Sequence, residues 1–127
     1  MLYRPFENKL NFHLAEHQLH RAQWSIFHYL SNHGPATLVE VSHYLYVEKP
    51  TVTRTINRLE ELGYVEQVPS NDKREKRIHL TELGKKVYAD VRVTIDQFEN
   101  DILKGISEQE QLDTIRIMGI IRDHIIK

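Results

Sequence analysis

The stretch from Glu48 to Gly63, EKPTVTRTINRLEELG, carries two opposed faces once it is coiled into a helix, and few folds can accommodate both. Val52, Ile56, Leu59 and Leu62 fall at i, i+4, i+7 and i+10, so at about 100° per residue they share one stripe that needs a core to cover it. Pro50, Thr53, Arg54, Asn57 and Glu61 point away from that stripe, with Thr51 and Arg58 on its flank. Most of these are side chains that reach phosphates and base edges. Gly63, just past the last apolar residue, is a helix stop. Taken alone, such a stretch is either an ordinary amphipathic surface helix or a reading helix, and its neighbours must decide.

Those neighbours favour the second. Tyr64 to Val68 alternates and is β-prone, Pro69 to Lys76 is a polar, basic loop, and Arg77 to Leu80 is a second short strand, which together make a hairpin. Upstream, Ala22 to Leu30 is expected to be helical, with Trp24, Ile26, Phe27 and Leu30 as its apolar content and Asn32-His33-Gly34-Pro35 as its breaker. Thr37 to Glu40 has capping-box spacing and opens a further helix whose core set is Leu38, Val41 and Leu45, and a turn from Tyr44 to Lys49 leads into the two-faced stretch. Two short helices joined by a few residues are a helix-turn-helix, and a hairpin directly behind it is a wing.

Helices flank this unit. Phe6 to Leu19 repeats Phe6, Leu10 and Leu14 at helical spacing. Thr81 caps a long helix through Val87, Val91, Ile95, Phe98 and Ile102, which Gly105 breaks. Ser107 to Glu110 repeats the capping-box spacing and opens a last helix carrying Leu112, Ile115, Met118, Ile121, Ile125 and Ile126. Those apolar residues need a surface that the winged unit does not offer, and a second copy of the chain is the simplest one. The expected fold is mainly α with a small β-hairpin wing (α+β): a winged helix-turn-helix with N- and C-terminal dimerisation helices. Residues 1–127 are read as a single domain, with 22–83 the DNA-binding core and 1–19 and 84–127 the helical dimerisation region.

Composition narrows the function. The 127 residues include no cysteine, which excludes disulfides, thiolate nucleophiles and thiol redox sensing. No Gly-rich phosphate loop or Gly-x-Ser-x-Gly elbow is present, so no enzyme is expected and no cofactor is implied. No apolar run approaches the ~18 residues of a membrane span, and a cytoplasmic protein is expected. The net charge of −1 conceals a split: to Ala89 there are 12 Lys and Arg against 10 Asp and Glu, and from Asp90 there are 5 against 8. Positive charge gathers at Lys73, Arg74, Lys76 and Arg77, away from the acidic last third.

The run VEKPTVTRTINRLEELGYVEQVPSNDKREKRIHLTELG resembles the core of the multiple antibiotic resistance regulator (MarR) family of winged-helix transcription factors. The shared features are Thr51 to Arg54, the exit from Leu59 to Val65, the Asp72-to-Arg74 wing motif and Leu80 to Gly84, with likeness extending up to Ala22-Gln23-Trp24 and Leu38 to Leu45. Pro50 stands where the family often has serine, and Gln67 where it often has arginine. The resemblance implies that Thr51, Thr53 and Arg54 face the major groove, that Arg74 enters the minor groove, and that Asp72 orients that arginine. It also implies a homodimer and, more often than not, repression.

The full expected DNA-contacting set is Lys49, Pro50, Thr51, Thr53, Arg54, Asn57, Arg58, Asp72, Lys73, Arg74, Lys76 and Arg77, with double-stranded DNA and a second copy of the chain as partners. Leu112, Ile115, Met118, Ile121 and Ile125 are expected at the dimer interface. Without cysteine, any release from DNA must come from a small-molecule effector, and His13, His17, Trp24, His28 and Tyr88 are the expected walls of its chamber. Two other readings compete. One is a winged helix used only for protein contacts. The other is a metal sensor built on His13, His17 and His20, which fall at i, i+4 and i+7 with Glu16 nearby.

Overall fold

The computed structural model describes residues 3–69 and 76–126. Its elements run α1 (Tyr3–Ala15), α2 (Arg21–His33), β1 (Ala36–Thr37), α3 (Leu38–Leu45), α4 (Lys49–Glu61), β2 (Val65–Gln67), β3 (Arg77–Leu80), α5 (Glu82–Ile102) and α6 (Glu108–Ile126). Two compact units result, Met1–Asp96 and Gln97–Lys127. The first contains the winged helix-turn-helix.

Helix α2 is the hub of that first unit. Trp24, Ile26, Phe27, Tyr29 and Leu30 are all buried, because α2 meets α1, α3, α4 and β3 on different sides. Phe27 is wholly enclosed and packs against the ring of Tyr64, 5.7 Å between centroids. Leu14 of α1, Val41 of α3, and Val52, Ile56 and Leu59 of α4 complete the interior with Val65 and Ile78 of the sheet. Full enclosure of each such side chain contributes roughly 1.5–3 kcal/mol. The stripe expected on α4 is therefore present, except that Leu62 is only half-buried. Leu38 and Leu45 are half-buried too, and Val41 alone anchors α3 in the core.

The wing is part of a three-stranded antiparallel sheet ordered β1-β3-β2. Val65 pairs with Leu80, Glu66 with His79 and Gln67 with Ile78, while Ala36 pairs with Ile78 and Thr37 with Arg77. The third strand, β1, was not expected, since two residues are too few to show alternation. Its effect is to pin the wing to the start of α3. Thr37 accepts the Glu40 backbone N–H at 3.1 Å, as the capping box requires. The Glu40 carboxylate reaches the other way and pairs with Arg77 on β3 at 3.5 Å.

Helix ends show why the boundaries fall where they do. After α4, Gly63 adopts φ +81°, the Gly63 N–H bonds to the Glu60 carbonyl and the Tyr64 N–H to the Leu59 carbonyl, which closes the helix with a left-handed cap. The same closure ends α1 at Ala15, short of the expected Leu19: Gln18 takes φ +61° and the Leu19 N–H returns to the Leu14 carbonyl. Leu19 is thereby buried, and His20 is freed to cap α2, its ring accepting from the Gln23 N–H while the Gln23 side chain accepts from the His20 N–H. At the end of α3 the left-handed residue is Tyr46, φ +54° and ψ +40°. For a residue with a Cβ this conformation costs about 1–2 kcal/mol.

One junction holds the exit of α4, the end of the wing and the start of α5 together. The Thr81 hydroxyl donates to the Gly63 carbonyl at 2.6 Å and accepts the Gly84 N–H at 3.0 Å, while the Thr81 N–H donates to the Tyr64 carbonyl at 3.0 Å. Gly84 lies so close to this turn that a Cβ there would fall 2.0 Å from the Tyr64 carbonyl oxygen.

In the second unit, α6 opens on the box foreseen from sequence: Glu110 N–H to Ser107 Oγ at 3.1 Å and Ser107 N–H to the Glu110 carboxylate at 2.9 Å. The bonds from the Ser107 backbone and side chain hold the Glu110 carboxyl below the usual carboxylate range. The contribution of this cap is thus complete above the ordinary glutamate value and is lost as pH falls through the depressed one. No residue of α6 is buried, and Leu112, Ile115, Met118, Ile121 and Ile125 all lie exposed. Ile117 and Ile120, also exposed, sit on the opposite side of the helix, so α6 is apolar nearly all round.

Because no rotamer change relieves a clash with backbone, Gly84→Ala is expected to cost about 3 kcal/mol or more. Thr81→Ala, which loses the cap and the hydroxyl's bond to the Gly63 carbonyl, should cost about 1–3 kcal/mol. Denaturant midpoints at one fixed protein concentration measure both, and an unchanged midpoint for Gly84→Ala would show that α5 shifts freely off Tyr64.

Candidate nucleic-acid interface

The exposed side of α4 is built by default: Val52, Ile56 and Leu59 claim the core, and the residues between them are turned outward. Glu48 occupies the N-cap without a side-chain bond to the first turn, and Pro50 supplies a preset φ there. Lys49, Pro50, Arg54, Asn57 and Arg58 are exposed, with Thr51 and Thr53 half-buried. The Thr53 hydroxyl donates to the Lys49 carbonyl at 2.9 Å, and an Arg54 Nη reaches the Thr51 hydroxyl at 3.4 Å. Arg58 pairs with Glu61 at 3.2 Å, both largely exposed. These are weak, solvent-screened contacts that an incoming anion can replace at little cost. What the helix presents is a row of hydroxyls, an amide and guanidinium groups, with donors and acceptors free to be re-aimed.

On the wing, Lys76 is exposed and Arg77 is half-buried against Glu40, so the second cation is partly neutralised by its partner on α3. His79 and Glu66 pair across the two strands at 2.9 Å on the outward face. Asp72, Lys73 and Arg74, the tip of the expected wing, lie outside the described residues.

The residues expected to wall an effector chamber are only partly gathered. Trp24 and Tyr88 stack, centroids 5.1 Å apart and planes 12° apart, and His28 joins them with its Nδ1 3.2 Å from the Tyr88 hydroxyl. Asn32 and Arg92 complete the group, at 3.1 Å and 3.5 Å from the two nitrogens of His28, and sequence reasoning missed both. A guanidinium and an amide four residues along from already suspected rings, at Arg92 after Tyr88 and at Asn32 after His28, were the signal available. His17 bonds elsewhere on α5, to Thr94 at 2.9 Å, and His13 sets its ring edge against Phe12. The proposed histidine face of a metal site does not continue past the end of α1 at Ala15, since His17 lies in the turn that follows and His20 beyond the left-handed Gln18. Among the described residues no group of three or more metal-ligating side chains is assembled. Nor is any described helix long and apolar enough to cross a membrane.

Comparison with known proteins agrees with this geometry. A family model described as "MarR family" matches residues 17–75. The HTH-type transcriptional regulator YwoH of Bacillus subtilis is 40% identical over 108 residues, which are 85% of this chain and 79% of that one. Among solved structures, Staphylococcus aureus MarR in complex with salicylate and kanamycin is 30% identical with a TM-score of 0.87, over 98% of this chain and 85% of that one. A mutant E. coli MarR complexed with operator DNA shares the fold, with a TM-score of 0.82 at 23% identity over 93% and 86% of the two chains.

Trp24 is the one tryptophan, so its emission reports on the aromatic group directly. Tyr88→Leu should admit water to the exposed ring face and move the emission to longer wavelength, with the unfolding midpoint little changed. An unaltered spectrum would mean that Trp24 is shielded by something other than Tyr88.

Proposed function

The chain belongs to the MarR family of HTH-type transcriptional regulators, a family of regulators and not of enzymes, and from that premise we propose that it is a sequence-specific repressor binding a pseudo-palindromic operator as a homodimer. The observation that carries the reading is the division of α4, whose apolar residues are locked into the core while Lys49, Pro50, Thr51, Thr53, Arg54, Asn57 and Arg58 are left outward or half-covered. In this reading α4 lies in the major groove and Arg54 donates to base edges. The wing follows the backbone to the neighbouring minor groove, where Arg74 reads its narrowed, electronegative floor, oriented by Asp72, while Lys73, Lys76 and Arg77 meet phosphates. Arg77 would exchange Glu40 for that contact.

The second copy is placed on α6. Leu112, Ile115, Met118, Ile121 and Ile125, exposed in the single chain, are the surface a two-fold partner would cover. Release from DNA is assigned to a small aromatic anion held by Trp24, His28, Tyr88 and Arg92. A guanidinium beside stacked rings is suited to a carboxylate on an aromatic ring, and a relative has been solved with salicylate.

Light scattering at micromolar concentration should return about twice 15.1 kDa, and a clean monomer would remove both the dimer and the palindromic operator. An operator selected from a random DNA pool then separates the two arginines. Arg54→Ala is expected to cost about 1–3 kcal/mol and to relax preference at one position per half-site. Arg74→Ala should weaken binding on most sequences and flatten the salt dependence by about one unit, with half-sites about 10 base pairs apart. Uniform loss for Arg54→Ala with base preferences intact would make Arg54 a phosphate clamp, and the absence of any saturable complex would favour a protein-contact module.

A further inference from the structure

Tyr46 occupies the turn of the helix-turn-helix, three residues ahead of the first residue of α4, where its backbone forms the left-handed cap that closes α3, a position that does not favour a tyrosine. It stands in the left-handed region at φ +54°, where glycine or asparagine is at ease and a tyrosine is strained. The ring does not repay that strain by burial, because Tyr46 is 77% exposed. The turn is closed by other groups: the Tyr46 N–H on the His43 carbonyl at 3.4 Å, the Val47 N–H on the Ser42 carbonyl at 3.2 Å, and the Ser42 hydroxyl on the Val47 carbonyl at 2.5 Å. None of these bonds uses the tyrosine side chain. A large aromatic is thus held exposed in the turn before α4, at a cost in stability and with no packing return. Strain kept in this way points to a task for the side chain.

We propose that Tyr46 is a DNA-binding residue whose phenol hydroxyl donates to a backbone phosphate next to the N-terminus of α4. The proposal rests on the reading of α4 as the DNA-facing helix. Tyr46 lies before α4 rather than on its outward row, which suits a positioning contact to the backbone and not a base contact. A neutral donor also fits this spot electrostatically. Glu48, two residues on, would oppose a phosphate, Lys49 beside it offsets that charge, and a phenol adds a hydrogen bond without altering the balance.

The test uses the full chain and an operator selected with the wild-type protein, titrated against Tyr46→Phe, Tyr46→Gly and, as a control for the α4 reading, Arg54→Ala. Tyr46→Phe and Tyr46→Gly should both weaken binding about three- to tenfold, equally on every operator variant and with the salt slope unchanged, as loss of a neutral hydrogen bond requires. Tyr46→Gly should also raise the thermal midpoint, since glycine relieves the turn. Full affinity in Tyr46→Phe overturns the phosphate contact, and a lowered midpoint in Tyr46→Gly overturns the claim that the ring is structurally dispensable. The control keeps the two readings apart: if Arg54→Ala and Tyr46→Phe both bind as wild type, the reading of α4 is wrong and the Tyr46 proposal falls with it. If Arg54→Ala is weakened and Tyr46→Phe is not, Tyr46 alone is misread.

Discussion

The geometry of the winged unit depends on one hydroxyl. Thr81 gives its proton to the carbonyl of Gly63 and takes the N–H of Gly84, and its own backbone N–H meets the carbonyl of Tyr64. Three elements end or begin within those few residues: α4 leaves at Gly63, β3 finishes at Leu80, and α5 starts at Glu82. A threonine can satisfy an orphan carbonyl and an orphan amide at once, and a glycine at Gly84 lets the helix approach until backbone touches backbone. The exit of α4 is therefore tied to the wing and to α5 by hydrogen bonds as well as by the packing of Val52, Ile56 and Leu59 in the core. A surface meant to fit the regular grooves of a duplex gains from such rigidity.

Much of this was readable in the chain because its signals are local. The α4 stripe at Val52, Ile56 and Leu59, the stop at Gly63, the cap at Thr81 and the Ser107–Glu110 box each follow from residue types at fixed spacing, and each is found in place. What was missed depends on tertiary context. Strand β1 exists only because Ala36 and Thr37 meet Ile78 and Arg77 from a distant part of the chain. Helix α1 ends early because Leu19 is better buried than helical, a preference invisible until the core is assembled. Glu40 abandons its half of a capping box for Arg77, a partner that sequence proximity could not suggest.

The site divides along the same line. The outward row of α4 follows from periodicity alone, so its members were named correctly as exposed or half-exposed. The aromatic group between α2 and α5 does not: Trp24, His28 and Tyr88 were suspected for their chemistry, yet Asn32 and Arg92, which engage both nitrogens of His28, emerge only when the two helices are laid side by side. That linkage gives the group a mechanical character. Arg92 also pairs with Asp96 at 3.0 Å along α5, so the group is tied into the helix that begins at the Thr81 junction.

The placement of β3 between β1 and β2 bears on how such a unit assembles. β2 and β3 lie close together in sequence, but Ala36 and Ile78 are roughly forty residues apart in the chain, with all of α3 and α4 between them. Closing a loop of that size costs about 3 kcal/mol of chain entropy before the pairing returns anything. The β1–β3 pairing therefore carries a closure cost that the local β2–β3 pairing does not. The strand that anchors the wing is thus the one whose pairing costs the chain most entropy.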